Sequence, residues 1–319
     1  MTNNIKNGVS IIVPTFRRPE GLAVALNSLM GQSADGLAME IIIADNDPKG
    51  SARDYVEEFA KTSAITIHYL HVPAPGVSNA RNAALDAASG RYLAFLDDDQ
   101  EACDGWLETL LDISQKYGAA LAFVPTHARI PICSKNGKSK YNDYLVDFFS
   151  RFGPDLQEGV VGNYFGCGNS LLDTELCTLP SPPFSTAMNE TGGEDDLLFT
   201  ELQSQGIKIA WSRASKTNED IRPHRATPEY VKVRSFAHGQ SPSQECADAK
   251  NWIGVMKWML VGVVQYALFA PMALLTKLTG RPSYIHYLAK SAAGAGKILW
   301  FDGFKPKLYG AAVVQNKAF

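Results

Sequence analysis

Apolar residues recur along this chain in two interleaved rhythms. Short apolar runs, at Val9–Val13, Glu40–Ala44, Ile65–Val72, Tyr92–Leu96 and Ala119–Val124, are separated by longer stretches in which apolar positions return every three or four residues. The runs are too short for helices and predict buried strands. The intervening stretches, Pro19–Met30, Ser51–Ala60, Val77–Ala88 and Trp106–Tyr117, predict amphipathic helices. Pro14 stops the first run, Pro19 is tolerated in a first helical turn, and Gly90 ends the third helix. Strands alternating with helices up to about Val124 predict an α/β fold: a mostly parallel sheet flanked by helices on both faces.

Beyond Val124 the rhythm loosens. Ile130–Phe165 reads as irregular, rich in glycine, proline and aromatic residues, and is a candidate acceptor-binding insertion. A strand at Gly168–Leu172, a helix at Glu194–Gln205 stopped by Gly206, a strand at Ile207–Trp211 and a helix at Pro228–His238 follow. Ser241-Pro242-Ser243 then marks a boundary, dividing a body of residues 1–240 from an extension of residues 241–319. Within that extension Trp252–Leu275 is interrupted only by Lys257 and Gln265, with Pro271 near its end. As a helix it would be about 36 Å long, enough to cross a bilayer.

Charge changes that picture. The chain of 319 residues has a net charge of −3, which gives no basis for nucleic-acid binding. From Trp252 onward, however, eight lysines and arginines oppose only Asp302, a net +7, so the first 251 residues carry −10. A basic, apolar tail on an acidic body suggests an anionic membrane surface. A single span would export those cations, against the positive-inside bias. A helix lying in the cytoplasmic leaflet is therefore favoured over a true span or a soluble packing helix. The five cysteines (Cys103, Cys133, Cys167, Cys177, Cys246) lack any CxxC pair, which fits a reducing cytosol better than a disulfide framework or zinc site. Met1-Thr2-Asn3-Asn4 shows no apolar signal-peptide core, so the body is expected to stay on the cytoplasmic side of the inner membrane.

The densest candidate chemistry is Asp97-Asp98-Asp99, directly after the run Tyr92–Leu96. Like charges at the end of a buried strand are costly unless a cation neutralises them, and a divalent cation on hard oxygen ligands is the usual solution. Read alone, the triplet serves equally well as an acidic cap for the next helix. The other strand ends also carry polar clusters: Pro14-Thr15-Phe16-Arg17-Arg18, Asp45-Asn46-Asp47, and, opening the third helix, Gly76 through Asn82 with Arg81. In a parallel sheet such loops converge on one crevice. A second acidic group, Gly192-Gly193-Glu194-Asp195-Asp196, opens a helix, where carboxylates are either a dipole match or a general base.

Taken in order, these pieces resemble bacterial glycosyltransferase family 2, which has the GT-A fold, and especially the glucosyltransferases of succinoglycan-type exopolysaccharide assembly. The matching residues are Ile12 to Pro19, Ile43 to Asp47, Ser78 to Asn82, Phe95 to Asp99, Gly192 to Asp195 and Glu219 to Arg225. The resemblance implies a GT-A domain over residues 1–240, with a nucleotide-binding half at about 8–124 and an acceptor half at about 125–240. It also implies a nucleotide-sugar site built from Pro14, Thr15, Arg17, Asp45, Arg81, Asp97 and Asp98. Asp45 would hydrogen-bond the base, Asp97 would face ribose or sugar, and Asp99 with Asp97 would hold Mg²⁺ or Mn²⁺ as a DxD motif. Asp195 would be the catalytic base; Asp196 is the alternative, because the second acid after Glu-Asp is shifted here by one position. Relatives often offer a histidine near position 219, where this chain has Glu219 and Asp220, and His224 is given no metal role.

The activity the resemblance implies is inverting, metal-dependent transfer of a hexose, from a nucleotide-sugar with UDP-sugar preferred, to a lipid-linked or oligosaccharide acceptor in exopolysaccharide or surface-glycan biosynthesis. The rivals are a sugar nucleotidyltransferase, disfavoured by the absence of glycine in the loop after the first strand, and a catalytically inactive nucleotide-sugar-binding or scaffold subunit.

Overall fold

The structure is a computed structural model that describes residues 7–130, 140–190 and 192–306. Cys133, Lys307, Lys317 and the first four residues therefore lie outside the described residues. In chain order the elements are β1 (Val9–Thr15), α1 (Pro19–Leu29), β2 (Met39–Asp45), α2 (Arg53–Thr62), β3 (Thr66–His71), α3 (Val77–Ala87) and β4 (Tyr92–Phe95). Then come β5 (Gln100–Ala102), α4 (Trp106–Tyr117), β6 (Leu121–Phe123), β7 (Thr126–Arg129), α5 (Asn142–Phe149), β8 (Glu158–Val161) and β9 (Ser170–Asp173). The last are α6 (Glu194–Ser204), β10 (Ile209–Ser212), β11 (Thr217–Asp220), α7 (Pro228–Asp248), α8 (Trp252–Leu278) and α9 (Tyr284–Ile298).

These elements form two compact units. The first comprises residues 7–127, 150–190 and 192–220, the second 128–130, 140–149 and 221–306. The division falls after Asp220, twenty residues before the Ser241-Pro242-Ser243 boundary read from sequence.

The first unit is built on an eight-stranded sheet in the order β3-β2-β1-β4-β9-β6-β10-β8. Its β3-β2-β1-β4 half is parallel, as is the β6-β10 pair. β9 runs antiparallel to both β4 and β6, and β8 antiparallel to β10, so the sheet as a whole is mixed. Strand side chains alternate between faces. Val9, Ile11 and Val13 of β1 pack with α1, α2 and α4, whereas Ile12 packs with α3 and α6. Both faces of β1 are thereby dry, and this is why the run needs apolar residues at consecutive positions.

β1 does not stop at Pro14 but continues to Thr15. The reason lies in the hydrogen-bond directions. Ile12 accepts from Leu96 on the β4 side, whereas the Thr15 carbonyl accepts from Asn46 on the β2 side. Pro14 therefore faces β4 beyond the last β1–β4 pair, Ile12 with Phe95, and its missing N–H costs no ladder bond. Helix α5 and short strand β8 arise within the stretch read as irregular, and short strands β5, β7 and β11 where the sequence was assigned no element. β5 pairs antiparallel with β11, tying the segment just after the acidic triplet to residues 217–219.

In the second unit α7 runs through Pro242. Its neighbours Gln240 and Ser243 hydrogen-bond to the carbonyls of Leu299 and Lys297, so packing on the chain at the end of α9 holds the helix despite the lost backbone bond. Glycines let the backbones meet. A Cβ at Gly296 would lie 2.1 Å from the Phe236 carbonyl oxygen, and one at Gly262 would lie 2.7 Å from that of Gly294. α8 buries only a narrow stripe including Val255, Gly262, Ala273 and Thr276. Its remaining surface is apolar and exposed, including Ile253 at 80% and Leu278 at 76%.

Candidate functional site

The ends of β1 and β2 form the first wall of the site. Asp45, the last residue of β2, is fully buried. Its carboxylate accepts from the Asp47 and Ala52 amides at 2.9 and 2.8 Å and from the Tyr69 hydroxyl at 2.9 Å. These three bonds brace the β2–α2 turn, and a carboxylate, with about four lone-pair sites, can accept one more donor beside them. Asn46 is locked as well, donating to the Val72 and Ala74 carbonyls and accepting from the Gly76 amide. Arg17, in the left-handed region at φ 49, turns its guanidinium onto Asp47 at 3.0 Å.

The acidic triplet follows β4, and each of its carboxylates meets a different set of partners. Asp98 is pinned to the β1 end: its Oδ2 accepts from the Thr15 hydroxyl at 2.9 Å and from the Phe16 amide at 3.2 Å. Burial, with the neighbouring Asp99 charge, pushes the Asp98 carboxyl up to about 6. Asp99 is held by Arg18, whose nitrogen stands 2.6 Å from Oδ2. Asp97 turns the other way, toward Arg81 at 3.0 Å, and its side chain is 34% exposed.

Arg81 is the hub of the second wall. Carried on α3 and buried, it bridges Asp97 and Glu194, with its Nε buried and without a hydrogen-bond partner among the described residues and its guanidinium over the Phe184 ring. Burial pushes the Glu194 carboxyl up, against the pull of Arg81. The next residue, Asp195, is half-buried and accepts from the Cys167 amide at 3.0 Å. Asp196 is exposed. The first turn of α6 therefore splits its acids: Glu194 goes under Arg81, Asp195 toward the Cys167–Gly168 backbone, and Asp196 outward. Gly168 completes the wall, since a Cβ there would lie 2.2 Å from Asp97 Oδ2.

Five of the residues singled out in sequence, Thr15, Asp97, Asp98, Arg81 and Asp195, are thus joined through shared or adjacent partners. Pro14 contributes backbone only, and Asp45 and Arg17 belong to the neighbouring loop. The sequence reading gave no site role to Arg18, Glu194, Gly168 or a further pair, Arg151 with Glu219 at 2.7 Å, in which Gln100 also reaches Glu219. Their partners lie up to about two hundred positions away; for the charged ones the local signal was charge, and Gly168 gave none.

Among the described residues no three histidine, cysteine or acidic side chains converge as a complete metal cage. The donor set at the triplet is nonetheless hard carboxylate oxygen, next to a cradle that a Cβ at Gly168 would fill. That suits Mg²⁺ or Mn²⁺ held by one or two carboxylates, with the remaining positions left to phosphate and water.

Known proteins resemble this chain in sequence and in fold. Residues 10–171 match the family model for glycosyl transferase family 2. Over 242 residues, 75% of either chain, the protein is 34% identical to the succinoglycan biosynthesis protein ExoM of Rhizobium meliloti. It is 35% identical over 104 residues to the GalNAc(5)-diNAcBac-PP-undecaprenol β-1,3-glucosyltransferase of Campylobacter jejuni, about a third of each chain. The crystal structure of Staphylococcus aureus TarS 1–349 in complex with UDP-GlcNAc superposes with a TM-score of 0.51 at 16% identity, covering 91% of this chain and 90% of that one. That likeness is one of fold, the GT-A type. Matched by the family model over half its length and by a relative a third identical over three quarters of it, the chain belongs to glycosyltransferase family 2 and is a glycosyltransferase.

Proposed function

We propose that this enzyme transfers a hexose, with inversion, from a nucleotide-diphospho-sugar to a lipid-linked saccharide in exopolysaccharide or related surface-glycan synthesis. The observation that carries the reading is the convergence on Arg81 of Asp97 from the end of β4 and Glu194 from the start of α6, with Asp195 beside them. Asp195 would accept the proton of the acceptor hydroxyl as its oxygen bonds to the anomeric carbon, on the face opposite the diphosphate. The bond from that carbon to the diphosphate breaks with its electron pair, and configuration inverts. Arg81 neutralises Asp97 and Glu194, and Asp195, without an arginine of its own among the described residues, is left as the carboxylate to serve as base. A divalent cation held by Asp97 and Asp99 would neutralise charge on the departing diphosphate.

UDP is the favoured nucleotide, in keeping with the UDP-GlcNAc complex of the TarS structure. The lipid-linked acceptor is drawn from the undecaprenol-diphosphate substrate in the name of the Campylobacter relative. The second unit supports a membrane-borne acceptor. α8 has a mean hydropathy of 1.8 over its most apolar stretch and is largely exposed. Beside it runs a groove of about 510 Å³, lined by Val233, Phe236, Leu274 and Leu288 with Lys232 and Lys277. Apolar walls with two cations suit an anionic lipid, which supports a position for this part of the enzyme at the cytoplasmic face of the inner membrane.

Calorimetry with UDP-glucose, with and without Mn²⁺, on wild type and Asp99→Ala tests the donor half of the proposal. Metal-dependent binding that is lost in the variant is expected. A folded wild-type protein that binds no UDP-, GDP- or dTDP-sugar would sink it.

A further inference from the structure

The surroundings of Arg18 carry an inference that deepens the proposed donor site and rests on that reading. Arg18 immediately precedes α1, and its side chain is only 14% exposed. One guanidinium nitrogen stands 2.6 Å from Asp99 Oδ2 and 3.5 Å from Asp98 Oδ1, while the other donates to the Asp220 carbonyl at 2.9 Å. The contact is built in. A Cβ at Gly21 would lie 2.4 Å from the Asp98 carbonyl oxygen and 3.1 Å from the Arg18 side chain, so only glycine lets the first turn of α1 press this close to the triplet. The carboxylate expected to receive a cation is therefore already neutralised by one belonging to the chain.

A guanidinium fork and a divalent cation cannot both hold Asp99 at full strength, because they repel one another across a few ångströms of part-buried space. The same fork fits two oxygens of a diphosphate as well as it fits a carboxylate. We propose that Arg18 is a transferable counter-ion: it holds Asp99 ahead of donor binding, then passes to the diphosphate as cation and nucleotide enter together. Arg18 thereby couples the two binding events. Cation affinity without nucleotide is suppressed, and each ligand strengthens the other by the same factor.

The test is Mn²⁺ and UDP calorimetry on the full chain, with Arg18→Met and Arg18→Lys beside wild type. Arg18→Met should bind Mn²⁺ without nucleotide about tenfold more tightly, and UDP at saturating Mn²⁺ about tenfold more weakly, the effect of roughly one charge-assisted hydrogen bond on each side. Arg18→Lys, which keeps the charge, should leave nucleotide-free Mn²⁺ binding weak. If Arg18→Met melts well below wild type in EDTA, Arg18→Gln, able to keep the bond to the Asp220 carbonyl, is measured in its place with the same expectations. Unchanged or weaker Mn²⁺ binding in the uncharged variant, or equal tightening in the lysine variant, overturns the inference while the donor-site reading stands. A wild-type protein that binds no Mn²⁺ even with UDP takes down both.

Discussion

At position 168 one carbon atom decides the shape of the site. A Cβ on Gly168 would stand 2.2 Å from the Asp97 carboxylate, a distance no real contact tolerates, so Gly168→Ala must push Asp97 off its bond to Arg81. The expected result is a fall in kcat/KM of about a hundredfold with a native circular dichroism spectrum, the usual cost of misplacing a positioned group by about an ångström. Asp98 yields a pH prediction. Its carboxyl is pushed up to about 6 by burial and by Asp99, so the folded state holds the proton more tightly than the unfolded state does. Stability from this group is therefore greatest at low pH and is lost as pH rises through about 4 to 6. Asp98→Asn, which can still accept from Thr15 and Phe16, should melt above wild type at neutral pH in EDTA, with the gap closing by about pH 4. A gap of the same size at both pH values would show that Asp98 pays no such penalty. The acids themselves were legible in the sequence as charges at strand ends. Their partners were not: nothing in one dimension shows that the Asp45 carboxylate accepts from Asp47, Ala52 and Tyr69.

α6 shows what an element adds to its residues. Three acids in one helical turn point in three directions, because successive residues on a helix are about 100° apart. Glu194 meets Arg81, Asp195 meets the Cys167 amide, and Asp196 faces outward. Asp195→Asn should therefore lower kcat by about a hundred- to ten-thousandfold, as expected for loss of a general base, while nucleotide binding stays near wild type. Asp196→Asn should stay close to wild type in both. The reverse ranking in steady-state kinetics would move the base to Asp196. Among longer elements, α4 was legible at both ends, because its apolar spacing is closed by Gly118 in the left-handed region. α9 was not, because its Ala-Gly-Ala-Gly face carries too few large apolar residues to register as a helical stripe. Its purpose is to bring backbones together, which sequence periodicity does not record.

For the whole molecule, the decisive contrast is between a unit whose apolar surface is enclosed and one that leaves it open. The strands of the first unit are covered on both faces, whereas α8 exposes Trp252, Ile253, Leu260, Leu274, Leu275 and Leu278 together. A continuous apolar surface of that kind marks an interaction site. The protein should float with vesicles containing anionic lipid. Binding should weaken on Lys232→Glu/Lys277→Glu and should weaken, without vanishing, at high salt, since only the electrostatic part is screened. Full solubility together with no vesicle binding at any salt would instead make α8 a protein-packing helix.

The sequence by itself determined the alternation of buried strands and amphipathic helices, the charged clusters at strand ends and the apolar α8, because each is written in local periodicity and composition. Only the tertiary structure decided that β9 runs backwards between β4 and β6, that α7 survives Pro242, and that Arg18, Arg81, Glu194 and Gly168 share a site with the triplet. Those outcomes depend on partners as far apart as Arg18 and Asp220. Ion pairing and backbone approach act through space, whereas a sequence pattern reports only what neighbours along the chain require.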